Sequence, residues 1–369
     1  MKVICEGLDL SAAVLTVSKA IGSKTVNPIL EGIKIKAQGD DLILTATDTE
    51  LTIEKTVKAD VLMEGETVVT GRMFGDFIKK LENEQVELSK LDGSSLKIRY
   101  SGSESEMQVF SADEYPKTDK NIGDNFIEIK QSDLKDIVNK TVFACATDDS
   151  RPILKGCLFE VEDLELNVVS LDGVRMSVVT KEVLSSSGKF KAIIPARTLL
   201  EITRLLGNED DEFIRISVTK NSLMVSVDNI VLISRLIEGE FIKYRQILPT
   251  EFTTNIRINK QLLINSIERA SVVSRQEKTN IVKFDIKEDF VNITSKSEIG
   301  NVNENIAINM DGKDLIIAFN GKYLLDYLKT TDDDFVSINL NSPIDPCIIR
   351  SIVNTDYTYL IVPVRITNM

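Results

Sequence analysis

The chain says one thing three times, at intervals of roughly 125 residues, and a repeat of that size specifies domains rather than solenoid turns. PILEG at 28–32 returns as PILKG at 152–156. GRMFGDFIKKL (71–81) returns as ARTLLEITRLL (196–206) and as GKYLLDYLKTT (321–331). MKVICEGLDL, NFIEIKQSDL and NIRINKQLLI open the three copies. Each copy reads strand, helix, strands, helix, strands, with two helices and about eight strands. That order gives an α+β class, with helices packed on antiparallel sheets in three similar domains. The expected domains are 1–120, 125–248 and 254–369, with linkers near Lys117–Asp124 and Leu248–Thr254 where charged, Gly or Thr residues interrupt the pattern.

The stretch Arg151–Val179 shows the repeat's local grammar. ILKGCLFEVE and LELNVVSL read as strands with one buried face, and VRMSVV as a third. Asp172-Gly173 is the expected tight turn between the last two. Helices are expected over LSAAVLTVSKAI, RMFGDFIKKL, SDLKDIVNKTVFA (capped by Ser132), ARTLLEITRLLG (stopped by Gly207), KQLLINSIERASVV and GKYLLDYLKT.

Composition narrows the chemistry. There is no histidine, which removes the commonest general base, the usual nucleophilic triads and the commonest metal ligand. The cysteines (Cys5, Cys145, Cys157, Cys347) form no CxxC pair and read as buried thiols. Neither metal nor cofactor is expected. No apolar run reaches the ~18 residues of a membrane span, and the N-terminus lacks a secretory pattern, so a cytoplasmic protein without a membrane partner is expected. Asp48-Thr49-Glu50, Asp148-Asp149, Asp210-Asp211-Glu212 and Asp332-Asp333-Asp334 are groups that a carboxylate enzyme could offer as metal or acid/base sites. Each falls at a turn or strand end, where acidic residues are commonly solvated, so a catalytic reading is the weaker one.

Charge is unevenly placed. The six helical windows carry a net +8 within a chain of net −13, so the remainder carries −21. Helical propensity accounts for part of this. The sharper reading is a set of helices turned toward a polyanion, which would bind duplex DNA through its phosphates and read no sequence.

NPILEG, RPILKG, LDGVRM, EFIKYRQILP, FNGKYLLDYL and the C-terminal YLIVPVR, in this order and over the whole length, make the chain resemble the bacterial DNA sliding clamps, the β subunits of replicative DNA polymerase III. The resemblance implies a head-to-tail homodimer of three-domain subunits, a closed ring with helices lining its inner wall. It implies a non-catalytic processivity factor that encircles duplex DNA, slides on it, and tethers polymerases and repair proteins. Tethering raises the enzyme's effective concentration at the primer end without a new chemical step. Implied partners are DNA, a clamp-loader ATPase, the replicative polymerase α subunit and other proteins with clamp-binding motifs. This chain has no GxxxxGK[ST] motif of its own, so ring opening would fall to the loader. A repeat-built adaptor would share the partner groove but would not stay on closed circular DNA.

Family positions carry over residue by residue. The partner-peptide groove would use Leu154, Leu171, Gly173, Val174, Arg175 and Met176, then Ile242, Gln246 and Ile247, then Ile344, Pro346, Leu360, Val362 and Val364. Its aliphatic walls would hold Leu and Phe side chains of a short motif. Relatives often carry proline, arginine and methionine where Ile242, Gln246 and Val362 stand, so motif preference is expected to differ. DNA contacts would fall to Lys24, Arg72, Arg151, Arg197 and Arg204. The subunit contact would use Val272 and Val273 against Met73 and Met107, with edge strands pairing. Glu104 and Glu106 would then face Glu298 and Glu304, so the basic-against-acidic polarity of some relatives is not preserved.

Overall fold

Period-two burial along most strands builds two large antiparallel sheets, one in each of two compact units. A computed structural model describes residues 1–22, 27–90, 93–207, 212–274, 280–298, 300–353 and 356–365. Among these, the first unit comprises Met1–Gln131, Ser185–Ser187 and Glu201–Leu236, and the second Ser132–Leu184, Gly188–Leu200 and Ile237–Met369. The second sequence repeat therefore contributes strands to both.

In the first unit, fourteen strands form one sheet. Helix α1 (Gly7–Val17) buries Leu10, Ala13, Val14 and Val17, the i, i+3, i+4, i+7 stripe of an amphipathic helix. Its first residue is a glycine because a Cβ there would lie 1.9 Å from the Leu81 carbonyl oxygen. Helix α2 (Gly71–Ile78) buries Phe74 and Ile78 and packs beside α1. The strand Ile230–Arg235 pairs with Leu51–Lys58, so the first and second repeats share a continuous sheet. Buried Tyr115 closes the first repeat: its hydroxyl donates to the Gly32 or Thr45 carbonyl (3.2 and 3.3 Å) and accepts from the Thr47 N–H.

In the second unit, twelve strands form the sheet, and Arg175–Glu182 pairs with Tyr357–Ile361 to join the second and third repeats in the same way. Helix α3 spans Gln131–Thr141, all but its first residue in this unit, and α4 spans Ala196–Leu205, with Ala196–Leu200 counted in this unit and Glu201–Leu205 in the first. Helix α5 (Lys260–Ser274) buries Leu263, Ile264, Ile267 and Ala270 and packs beside α6 (Gly321–Leu328). Tyr327 stacks on Tyr359 at 4.9 Å between ring centroids, fixing α6 to the sheet.

Several local expectations need correction. Ser132 does not cap α3; the helix already includes Gln131, and Ser132 is its second residue. PILKG does not begin a strand: Pro152–Lys155 is a 3-10 turn, with Pro152 at its first position, and the strand starts at Gly156. The tight turn is centred on Gly173-Val174. Asp172 is still paired, its N–H donating to the Arg175 carbonyl, and its Oδ1 accepts from both the Val174 and Arg175 N–H. Gly173 takes φ +98°, the left-handed conformation that suits glycine at the first central position. The twelve-residue strand Gly300–Asp311 was not expected at all.

Candidate functional site

One face of the second unit's sheet carries two rows of aliphatic side chains. Ile193, Leu158, Val169 and Val178 stand in register across four strands. Leu171, Met176, Leu360 and Ile348 do the same across the junction between the second and third repeats. Leu154, Phe241 and Tyr244 close onto these rows to make one buried cluster, with Ile153, Ile242, Leu248 and Val362 partly exposed at its margin. The pairing continues past Ile361, where the Val362 N–H donates to the Val174 carbonyl at 2.8 Å.

Of the residues singled out for the groove, Leu154, Leu171, Met176, Ile242, Leu360 and Val362 thus belong to one apolar surface. Val174 and Ile247 are 42% and 41% exposed, with Val174 beside Val362 and Ile247 on the segment that carries Ile242. Exposed Gln246 ends the 3-10 turn Tyr244–Gln246. Ile344 (59% exposed) and Pro346 stand on the loop entering Cys347–Ser351, the strand that carries Ile348. Val364 lies apart from the rows; its N–H donates to the Ala318 carbonyl.

Arg175 points to the opposite face. It is 8% exposed and its guanidinium donates to Asp172 Oδ2 (2.9 Å), Asp326 Oδ2 (2.6 Å) and the Phe143 carbonyl (2.6 Å), over the rings of Tyr323 and Phe143. Burial alone would lower its pKa, but Asp326, then Tyr359 and Asp172, outweigh that and hold it above the usual value. Period two explains the placement, since a strand that points Met176 to the apolar rows must point Arg175 away from them. Arg175 therefore braces the underside of the surface, tying the hairpin of the second repeat to α6 of the third.

Sequence reasoning missed a second brace on the apolar side. Glu160 follows Leu158 on the same face, is 7% exposed, and sits in register with Lys191. Its carboxylate accepts from Lys191 Nζ (2.7 Å), the Tyr244 hydroxyl (2.8 Å) and Arg245 Nη1 (2.5 Å). Burial pushes its pKa up, yet the bonds from Lys191, Tyr244 and Arg245 together hold it below the ordinary carboxylate value. The only available signal was a carboxylate in the middle of an apolar run, ILKGCLFEVE.

The cations assigned to DNA are scattered. Lys24 lies outside the described residues. Arg72 is exposed on α2, and Arg197 is exposed in the first turn of α4. Arg204, 57% exposed, is paired with Glu201 on the same helix. Arg151 is exposed not on a helix but before the 3-10 turn, with a guanidinium nitrogen 3.6 Å from where a Cβ on Gly173 would stand. Part of the helical charge excess is spent locally: Lys140 pairs with Asp136, Arg269 with Glu304, and Lys329 with Glu268.

Two strands have more than half of one edge free among the described residues. Ser103–Phe110 pairs with Ser95–Tyr100 along its length but with the Val68-Val69 segment only at Val109 and Phe110. Gly300–Asp311 pairs with Thr254–Asn259 only from Ile308 onward. Met73 (49%) and Val272 (66%) are exposed, Val273 is half-buried and Met107 is buried. The carboxylates expected to oppose each other are occupied within the chain: Glu104 by Lys97 and Arg99, Glu304 by Arg269 and Ser266.

The acidic groups considered for catalysis shape turns. Asp48 Oδ1 accepts from the Glu50 and Leu51 N–H, and Asp148 Oδ1 from the Ser150 N–H. Asp210 and Asp211 lie outside the described residues. Among the described residues no cluster of three acidic, histidine or cysteine side chains is placed to hold a metal, and no helix is long and apolar enough to cross a membrane.

Comparison with known proteins agrees with this architecture. Family models for the N-terminal, central and C-terminal domains of the DNA polymerase III beta subunit match residues 1–119, 128–243 and 245–365. The beta sliding clamp of Staphylococcus epidermidis is 33% identical over 357 residues, covering 94% of each chain. The DNA polymerase sliding clamp of Bacillus subtilis superposes with a TM-score of 0.95 at 30% identity over the full length of both chains. A putative DNA polymerase III beta subunit from Eubacterium rectale superposes with a TM-score of 0.95 at 32% identity, covering 99% of this chain and 100% of that one. The fold is the α+β clamp fold, and the chain belongs to the DNA polymerase III beta subunit family, the bacterial beta sliding clamps.

Proposed function

We propose that the chain works as the family does through the particular residues described above. The family's role is that of a non-catalytic processivity factor, a homodimeric ring on duplex DNA that holds its polymerase there. The finer reading assigns three domains at 1–120, 125–248 and 254–369, cytoplasmic residence, and loading by a clamp-loader ATPase. The polymerase α subunit and other motif-bearing proteins dock on the apolar surface built from Leu154, Leu171, Met176, Ile242, Leu360 and Val362, with Gly173, Val174, Gln246, Ile247, Ile344 and Pro346 at its rim and Val364 set apart from it. Arg175 contributes from beneath. Two rows of aliphatic residues contributed by two repeats, open to solvent at Val174 and Ile247, favour an occupant that buries Leu and Phe side chains.

The free edges at 103–107 and 300–306 suit pairing between copies, with Val272 and Val273 against Met73 and Met107. Glu104 and Glu304 are neutralised internally, which lowers the like-charge repulsion that Glu106 and Glu298 still bring to the contact. Lys24, Arg72, Arg151, Arg197 and Arg204 supply phosphate contacts without base readout.

The observation that carries the reading is the succession of three family-model matches, to residues 1–119, 128–243 and 245–365. The test is topological. Loaded onto nicked circular DNA at moderate salt, the protein should stay bound, and cutting the circle should release it. Equal loss from circular and linear DNA, with loader present, would refute encirclement.

A further inference from the structure

We infer that Glu160 is a positioning residue for the partner groove, an anchor that holds the segment carrying Ile242, Gln246 and Ile247 against the sheet; this rests on the groove reading above. The segment between the strands Ile230–Arg235 and Thr254–Asn259 has no strand of its own. Among the described residues its backbone bonds from 238 to 250 are all local: Tyr244 N–H to the Ile242 carbonyl, Gln246 N–H to Lys243, and Ile247 N–H to Tyr244. No ladder fixes it. It is held by two buried rings, Phe241 and Tyr244, by Ile242 and Leu248 packed against the same cluster, and, as its polar hold on the sheet, by the Glu160 carboxylate.

That carboxylate is costly to bury, and a well-packed apolar side chain would serve stability as well or better. What it supplies is direction. Phe241 and Tyr244 can slide on aliphatic rows, whereas two hydrogen bonds from consecutive residues, Tyr244 and Arg245, allow one register of the turn on the sheet. Lys191, on the neighbouring strand, orients the carboxylate from the other side. Arg245 lies 4.8 Å over the Tyr244 ring, so the turn's two anchoring side chains brace each other. The next two residues, Gln246 and Ile247, are exposed at the groove's rim. They follow directly on the anchored pair, and beyond the turn's own backbone bonds their other neighbouring hold is Leu248, packed against the apolar cluster.

The test uses full-length protein and a dye-labelled synthetic peptide carrying Gln, Leu and Phe, with affinity read by fluorescence polarisation and backbone order by hydrogen exchange of fragments covering 241–249. Glu160→Gln keeps the side chain's size. Tyr244→Phe keeps the ring and removes only the hydroxyl, and it guards against misfolding of the first variant. Val362→Glu, in the groove itself, is the control on the site. Each anchor variant is expected to weaken the peptide roughly tenfold, the scale of one charge-assisted hydrogen bond, with faster exchange confined to 241–249. Unchanged affinity in both anchor variants, while Val362→Glu abolishes binding, overturns the anchor and leaves the groove standing. Faster exchange spread over the whole unit also overturns it, since that is the mark of general destabilisation. Peptide binding indifferent to Val362→Glu, or absent from the parent protein, overturns the groove and the anchor together.

Discussion

Replacing Arg175 by methionine keeps the aliphatic stem and deletes the charge, so it isolates what the guanidinium does. The carboxylates of Asp172 and Asp326, 14% and 27% exposed, are left facing each other without their cation, and the Phe143 carbonyl loses its donor. Breaking a buried ion pair from one side costs about 3–5 kcal/mol. Water reaches Asp326, so the lower end, about 3 kcal/mol, is the expected value. Asp326→Asn alone removes one charged acceptor and should cost about 1–2 kcal/mol. In the double variant the orphaned charge is gone, so the two losses should fall short of additivity by about 1–2 kcal/mol. The chain has no tryptophan, so unfolding in urea is followed by far-UV circular dichroism, reading the transition that the Arg175 variant shifts. That midpoint should fall while transitions arising elsewhere stay in place, since a chain of several domains need not unfold in one step. Additivity within about 0.5 kcal/mol, or a loss below about 1 kcal/mol for Arg175→Met, would refute the brace.

Gly173→Ala should cost about 1 kcal/mol through the left-handed backbone alone, because the new Cβ meets nothing closer than an Arg151 nitrogen at 3.6 Å. Pairing it with Arg151→Ala should restore nothing, and recovery of the thermal midpoint would show that side-chain crowding was the cause. All four cysteines are buried, and burial pushes the Cys5 thiol up to about 12. A thiol-specific chromogenic reagent near neutral pH should therefore label the native chain slowly and the denatured chain at four sites. Rapid native labelling would contradict the burial described.

The sequence carried the architecture because repetition multiplies weak signals. One copy of PILxG flanked by alternating residues is ambiguous, whereas three copies of the helix–strand order are not. The apolar members of the site came from family positions and not from their own pattern: the strands carrying Leu171, Met176 and Leu360 are buried on both faces, so alternation does not single these residues out. The failures are local and have physical causes. The strand Gly300–Asp311 places Asn301, Asn303, Asn305 and Asn309 on alternate positions, and asparagine is depleted in strands, so the usual propensity signal is missing. The turn centre slipped by one residue because Asp-Gly favours a turn in general, while here the Asp172 side chain holds two amides and leaves its backbone in the ladder. Arg175 read as a groove residue by position alone; only knowing that Met176 is on the apolar face turns it over. Glu160 was invisible because its partners lie on a different strand and on a segment more than eighty residues away (|i−j| of 84 to Tyr244).

Where one repeat meets the next, the strands Ile230–Arg235 and Leu51–Lys58, and again Arg175–Glu182 and Tyr357–Ile361, are stitched by amide and carbonyl groups that every residue type but proline can supply. The seams therefore tolerate drift in side-chain identity. A lineage can change the aliphatic residues at the margin of the rows across the second seam, Ile242 and Val362 among them, while the main chain keeps the joint shut.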